Sequence, residues 1–449
     1  MKNLLFAGFL LAALPVTAQS KIKVKSKPGR AATTEISAAT VSRVMHALAA
    51  DDMQGRGTGQ PGGDAKAATF LAGEFIRVGL EPLPGLTSFE QTFTAYQTRT
   101  GPVNGILNGQ VLAPDKMVVV SGQPALTWLS EDAQPAKVVV IGPETSERRK
   151  MYELLNPSSN TLVLVDTAHT KFFGQLTGRA KSGPMSAERP GPYSTVFVLA
   201  TAPATSTYRI SASTTVASVR LRNVVGVLPG REAKRAREFV VFSGHYDHLG
   251  TLKPVAGDSI ANGADDDASG TTAVVALAEY FKKKNDNARP LIFVAFAAEE
   301  KGGFGSQYFS KQLNPQQVTA MFNIEMIGKE SKFGPNTAFI TGYERSDFGK
   351  LLQASLAGSK FKFEPDPYPE QNLFYRSDNA TLAGLGVPAH TISTDQIPTD
   401  KRYHSVDDEV ESLNLANMTA VIQAIAQSAG GIVAGRQTPT RIPPLTDDK

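Results

Sequence analysis

The chain has 449 residues, a net charge of +4, 41% hydrophobic and 20% charged residues, and no cysteine. That length implies two or three domains at roughly 150 residues each, with ample apolar material for a core. The scattered basic excess argues against a nucleic-acid-binding stripe, and without cysteine there is neither a disulfide framework nor a thiolate ligand, so a metal site must use His, Asp and Glu.

Residues 1–18 read as a signal peptide. A lysine is followed by an apolar stretch from Leu4 to Leu14 and by small residues ending at Ala18, a run too short to span a bilayer. The protein is therefore expected to be exported, to the periplasm or beyond the cell, with no integral membrane segment after cleavage. Residues 19–32, with "KIKVKSKPGR", read as a solvated linker.

Two helices are expected next, in "SAATVSRVMHALAADDMQGR" and "GGDAKAATFLAGEFIRVGLEPL". In the second, Ala68, Leu71, Phe75 and Val78 share one face and Gly79 ends the helix. Residues 101–222 change texture and read as a β-rich insertion. "KMVVVSG", "AKVVVIG" and "NTLVLVD" are short strands, and the stretch from Ala187 to Leu221 reads as edge strands and loops. From 223 onward buried apolar strands alternate with amphipathic helices: "REFVVFSG", "GTTAVVALAEYFKKK", "PLIFVAFAA", "VTAMFNIEMIG" and "GVPAHTIS". That alternation predicts an α/β fold, a mixed and mostly parallel sheet sandwiched by helices. Residues 433–449 are proline-rich and expected to be a flexible tail.

In such a sheet ligands bind beyond the carboxyl ends of the strands. The polar residues there are "HYDH", with His245 and Asp247; "GADDDASG", with Asp266; the pair Glu299–Glu300; Glu325 in "NIEM"; and His404 in "RYHS". A lone histidine beside a strand is more often structural, and a Glu pair is more often solvated surface. Their convergence on one sheet edge reverses that weighing, because clustered carboxylates call for cations. Imidazole mixed with carboxylate suits zinc or a similar divalent ion. Calcium fits less well, since the acidic run lacks the alternating spacing of a calcium loop.

The order HxD, then DDxSG opening a helix, then EE after a strand, NxE-M and a late YH resembles the zinc metallopeptidases of peptidase family 28. These include secreted aminopeptidases, carboxypeptidases and, more distantly, glutaminyl cyclases. The resemblance covers 33–100 and 223–432, the implied peptidase domain of zinc-exopeptidase, phosphorylase/hydrolase-like fold. The 101–222 region is similar to a protease-associated (PA) insertion. By this resemblance His245, Asp266 and Glu325 hold one zinc and Asp266, Glu300 and His404 a second, Asp266 bridging; cobalt or manganese could replace zinc. Asp247 is implied to orient His245 through its carboxylate. Glu299 matches the general base acting on a water between the metals, and Tyr403 a residue stabilising the oxyanion.

The implied activity is exopeptidase action on the amino end of peptide substrates. A glutaminyl cyclase or carboxypeptidase is the alternative, with Arg376 a conceivable carboxylate donor. A non-catalytic binding protein fits less well, because both glutamates and both histidines are kept. Two positions depart from the family pattern: Glu325 stands where many relatives have aspartate, and Asn379 where His is commoner. Asp267 is expected to cap the following helix and Asp265 to be second to the ligands or solvent-facing. The Asp266–Asp267 bond is expected to be cis, as in relatives. His248, His390, His46 and His169 have no matched role.

Overall fold

The computed structural model describes residues 35–60 and 62–445. The expected signal peptide (1–18) and linker (19–32) lie outside the described residues. Four parallel strands form the centre of a large mixed sheet, in the order Ala389–Ser393, Val318–Ile324, Phe239–His245, Leu291–Phe296. Antiparallel strands extend it on both sides: Thr337–Ile340 next to Ala389–Ser393, and Tyr208–Leu228 next to Leu291–Phe296. The parallel strands are buried at nearly every residue because both faces are covered. Leu291, Phe293 and Ala295 enter one core with Val240 and Phe242, while Ile292, Val294 and Phe296 enter another with Val241. This period of two places side chains on opposite faces. Phe242 sits at the middle of the first core, its ring 4.9 Å from Phe322, 5.3 Å from Phe281 and 5.5 Å from Phe293.

The first face is covered by helices Ala38–Leu48, Gly63–Val78, Gly270–Lys284 and Leu415–Ser428. Ser37 caps the first, its hydroxyl accepting the Thr40 N–H. Gly79 ends the second with φ +80°, a left-handed conformation that favours glycine. Lys282, Lys283 and Lys284 fill the last turn of the third, where cations suit the dipole. Helices Phe304–Lys311 and Asn379–Gly384 lie against the second face.

The insertion differs from its expected texture in two ways. Its own sheet, ordered Met117–Ser121, Ser194–Leu199, Thr161–Val165, Lys137–Ile141, carries two helices, Arg148–Glu153 and Thr170–Lys181. Ser194–Leu199, expected at an edge, is interior, paired on both sides and buried at every residue. The strands Glu90–Leu107 and Tyr208–Leu228 run unbroken through both expected domain boundaries, so the insertion is continuous with the main sheet.

The tail packs against the body of the protein as far as Leu445. Arg289, itself buried, donates to the carbonyls of Ile432 (2.7 Å) and Gln437 (2.6 Å). Ile442 is buried and its N–H binds the Gly386 carbonyl at 3.2 Å. Proline-rich composition suppresses helix and sheet, but backbone groups can still pair with a neighbouring surface. Residues 446–449 lie outside the described part.

Candidate metal centre

Three of the parallel strands end in the residues singled out above. His245 is the last residue of its strand, Glu299 and Glu300 stand just beyond Phe296, and Glu325 follows Ile324. The chain turns sharply to deliver them. Ala298, Met326 and His404 adopt φ of +59°, +52° and +58°, a conformation uncommon for residues with a Cβ and concentrated at functional sites. Asp266 comes from the loop before helix Gly270–Lys284, and its bond to Asp267 is cis, as expected.

These side chains meet. Nε2 of His245 is 3.2 Å from Oδ1 of Asp266, and Nε2 of His404 is 3.3 Å from Oδ2 of the same carboxylate. His404 Nε2 is also 3.3 Å from Oε2 of Glu300. Donor atoms of His245, Asp266 and Glu325 lie within 4.8 Å of one another. Four donors at about 2.0–2.1 Å around a tetrahedral zinc are separated by roughly 3.3–3.4 Å, close to the spacings here. Buried His245 Nε2, Glu300 Oε1 and Glu325 Oε2 have no hydrogen-bond partner within the protein. Such orphaned polar atoms are costly unless a cation completes them, so the residues fit a divalent metal pair.

The surrounding polar groups hold the ligands in place. Asp247 acts differently from the expectation. His245 Nδ1 lies 3.1 Å from the Asp247 backbone carbonyl and 3.9 Å from its carboxylate, so the carbonyl fixes the ring. The carboxylate is occupied elsewhere, accepting the Thr58 hydroxyl (2.9 Å) and the N–H of Glu299 (2.9 Å) and Glu300 (3.4 Å). Asp267 accepts the N–H of Gly270 (3.0 Å), as a cap should, and also those of His245 and Met326 (3.1 Å each). Asp265 is buried, not solvent-facing; it accepts the Gly328 N–H at 2.8 Å and pairs with Lys329 at 3.1 Å. The unmatched Arg56 is fully buried and donates to the carbonyls of Leu48, Tyr246, Asn262 and Gly263 at 2.5–2.8 Å. It thereby ties the first helix to the loop that carries Asp266.

Crowding sets the charge states. Burial first, then Glu325, Asp378 and Glu300, push the Glu299 carboxyl well above its ordinary range despite His245. Burial raises Glu325 to about 7 and Asp378 to about 6. Burial also opposes ionisation of Asp266, but His245, His404 and His248 outweigh it and hold that carboxyl well below the usual range. Against burial, His248 and His404 likewise hold Glu300 below its ordinary range, so positive charge gathers around Asp266 and Glu300 and is short around Glu299, Glu325 and Asp378.

A small cavity of about 70 Å³ opens beside these groups, lined by Asp266, Glu299, Glu325, Tyr403 and His404 together with Met326, Phe339 and Ile397. Tyr403 is stacked on His404 with centroids 3.9 Å apart. Arg376 and Asp395 complete the wall. Asn379, the departure from the family's His, is buried and bonds Phe374, Ala389 and Thr391, which accounts for it as a structural residue beneath the cavity. His390 and His169 are also buried, bonded to the carbonyls of Thr341 and Gly142, and His46 is exposed. His248 was not singled out from sequence, yet its Nδ1 lies 2.9 Å from Glu300; its only signal was its place in "HYDH".

Residues 223–429 match the model of Peptidase family M28. A probable zinc metalloprotease of Leptosphaeria maculans is 34% identical over 115 residues, covering 25% of this chain and 26% of that protein. Leucine aminopeptidase 1 of Pyrenophora tritici-repentis is 25% identical over 210 residues, 44% of this chain and 51% of that one. The chain thus spans a quarter to a half of the length of these relatives. Among solved structures, an aminopeptidase from Aneurinibacillus sp. strain AM-1 superimposes with a TM-score of 0.56 at 16% identity, over 92% of this chain and 97% of that one. A zinc aminopeptidase from Bacillus subtilis gives 0.53 at 13% identity, over 93% and 100%. At these identities the likeness is one of fold.

Proposed function

We propose, for a chain whose residues 223–429 match the model of Peptidase family M28, a two-metal exopeptidase that removes N-terminal residues from peptides. One observation carries the reading: the two oxygens of Asp266 face different imidazoles, His245 at 3.2 Å and His404 at 3.3 Å. His245, Asp266 and Glu325 would hold one divalent ion and Asp266, Glu300 and His404 the other, zinc first, cobalt or manganese as substitutes. When bound, such a pair supplies Lewis acidity and lowers the pKa of water.

The chain's own residues do the rest. Glu299, whose carboxyl is pushed up by burial among carboxylates, takes a proton from the attacking water and returns it to the leaving amine. Asp247 fixes the backbone of Glu299 and Glu300. The Tyr403 hydroxyl, on the cavity wall, donates to the carbonyl oxygen as charge develops there. Asp395 in the cavity lining suits a free α-ammonium group, and Met326, Phe339 and Ile397 in the same lining suit a modest apolar side chain. Arg376 on the same wall favours a second reading, capture of a terminal carboxylate by a carboxypeptidase.

The protein would be exported, by the leader read from residues 1–18. Among the described residues no helix is long and apolar enough to cross a membrane. By position and by its separate core, the insertion is read as protease-associated-like. A panel of unblocked, N-acetylated and C-terminally blocked peptides, with and without chelator, tests the reading. Cleavage of unblocked but not acetylated peptides is expected; the reverse dependence, on a free carboxyl end, would favour the carboxypeptidase.

A further inference from the structure

His248 sits inside the site although the resemblance gives it no part. Its side chain is fully buried, and neither ring nitrogen has a hydrogen-bond partner in the protein. Burying an unsatisfied polar group costs about 1–3 kcal/mol, so an imidazole left this way needs an explanation. Nδ1 lies 2.9 Å from Oε1 of Glu300 and 3.8 Å from Oδ2 of Asp266. The 2.9 Å contact is short enough for a hydrogen bond but is not aligned as one, since Nδ1 and Oε1 both remain without a partner. His245 Nε2 stands in the same relation to Asp266, side by side at 3.2 Å. Both pairs thus leave donor atoms close together and unpaired, the spacing that donors around a shared cation have.

The ring is also held there. Gly263, at φ +55°, packs so closely that a Cβ on it would come within 2.5 Å of the His248 ring. The His248 N–H binds the carbonyl of Arg56 at 3.3 Å, and the ring meets that of His404 edge-on, 5.9 Å between centroids. Asp266, Glu300 and His248 offer donor atoms all within 4.8 Å of one another.

We infer that His248 Nδ1 is a further ligand of the second metal position, an inference that rests on the two-metal reading above. The second position then has four protein donors, from Asp266, Glu300, His248 and His404, and the first has three, from His245, Asp266 and Glu325. Four protein donors close a tetrahedral zinc site, whereas three leave a coordination position free. The positions therefore differ in work and in affinity: the second is the tightly held anchor, and the first is the open one.

The test is a crystal structure of the zinc-loaded full chain together with zinc titration of wild type and His248→Ala in a metal buffer. Zinc at about 2.0–2.1 Å from His248 Nδ1 is expected. His248→Ala is expected to weaken the tighter of two zinc affinities by more than ~100-fold, beyond the reach of an outer hydrogen-bonding partner. Zinc seated on Asp266, Glu300 and His404 with His248 Nδ1 more than ~3 Å away overturns the inference and leaves the two-metal reading intact. A wild-type protein that binds no zinc overturns both. The wild-type structure decides the matter even where the variant fails to fold.

Discussion

Oδ1 of Asp247 accepts the backbone N–H of Glu299 at 2.9 Å. One buried carboxylate at the end of the first parallel strand thereby fixes the turn that leaves the neighbouring strand, with Thr58 and the Glu300 N–H on its other oxygen. The candidate metal-binding edge and the candidate base are coupled through this residue, while His245 is steadied by the Asp247 carbonyl.

Asp247→Asn puts an amide N–H where a carboxylate oxygen accepts a backbone N–H. We expect turnover to fall by roughly 10–100-fold with zinc affinity within a few-fold of wild type, because the His245 partner is a backbone carbonyl. Loss of zinc from one position, with turnover restored by excess zinc, would show instead that the carboxylate acts through His245.

Glu299→Gln removes the proposed proton acceptor and keeps the shape of the site. Zinc content should match wild type, and turnover should fall by roughly 10²–10⁴-fold, the usual contribution of a positioned general base. Unchanged turnover would remove Glu299 from the mechanism.

Lys329 bridges two acids beneath the site, Asp265 at 3.1 Å and Asp400 at 2.5 Å. Lys329→Met would strand the buried Asp265 carboxylate without its counter-ion. A loss of about 3–5 kcal/mol of stability is expected in urea unfolding, as for other buried pairs broken on one side. A loss below about 1 kcal/mol would mean that Asp265 takes up a proton or another partner at little cost.

His390 gives the protein an acid-sensitive element outside the proposed ligand set. Burial lowers its pKa to about 4, the Thr341 carbonyl opposing and Arg345 assisting. The unfolded chain takes up the proton near its ordinary value of about 6.5, the folded chain only near 4. Its contribution to stability is therefore complete above about pH 6.5 and is lost as the pH falls toward 4, about 2 kcal/mol of it by pH 5. Proton NMR of the His390 ring should show a midpoint near pH 4; titration near 6.5 would contradict the burial argument.

Much of the site was legible because its residues sit at strand ends that the apolar pattern exposes. Runs such as "FVVFSGH" and "LIFVAF" announce buried strands, and the polar residues that follow can only lie at one edge of the sheet. The contacts of Asp247 and His248 were not legible. Both depend on which atom turns inward, and sequence spacing fixes the residue but not the atom. Ser194–Leu199 read as an edge because proline and glycine precede it, although its neighbours come from strands far along the chain. The docked tail escaped for a similar reason, since its partners are Arg289 and the carbonyls of Gly384 and Gly386.

The central claim, that Asp266 joins two divalent metals, is tested most directly by zinc content after dialysis in a zinc buffer. Two ions per chain are predicted for wild type, and loss of both sites' tight binding for Asp266→Ala. Wild-type protein without bound zinc, or Asp266→Ala retaining two ions at unchanged affinity, would contradict it.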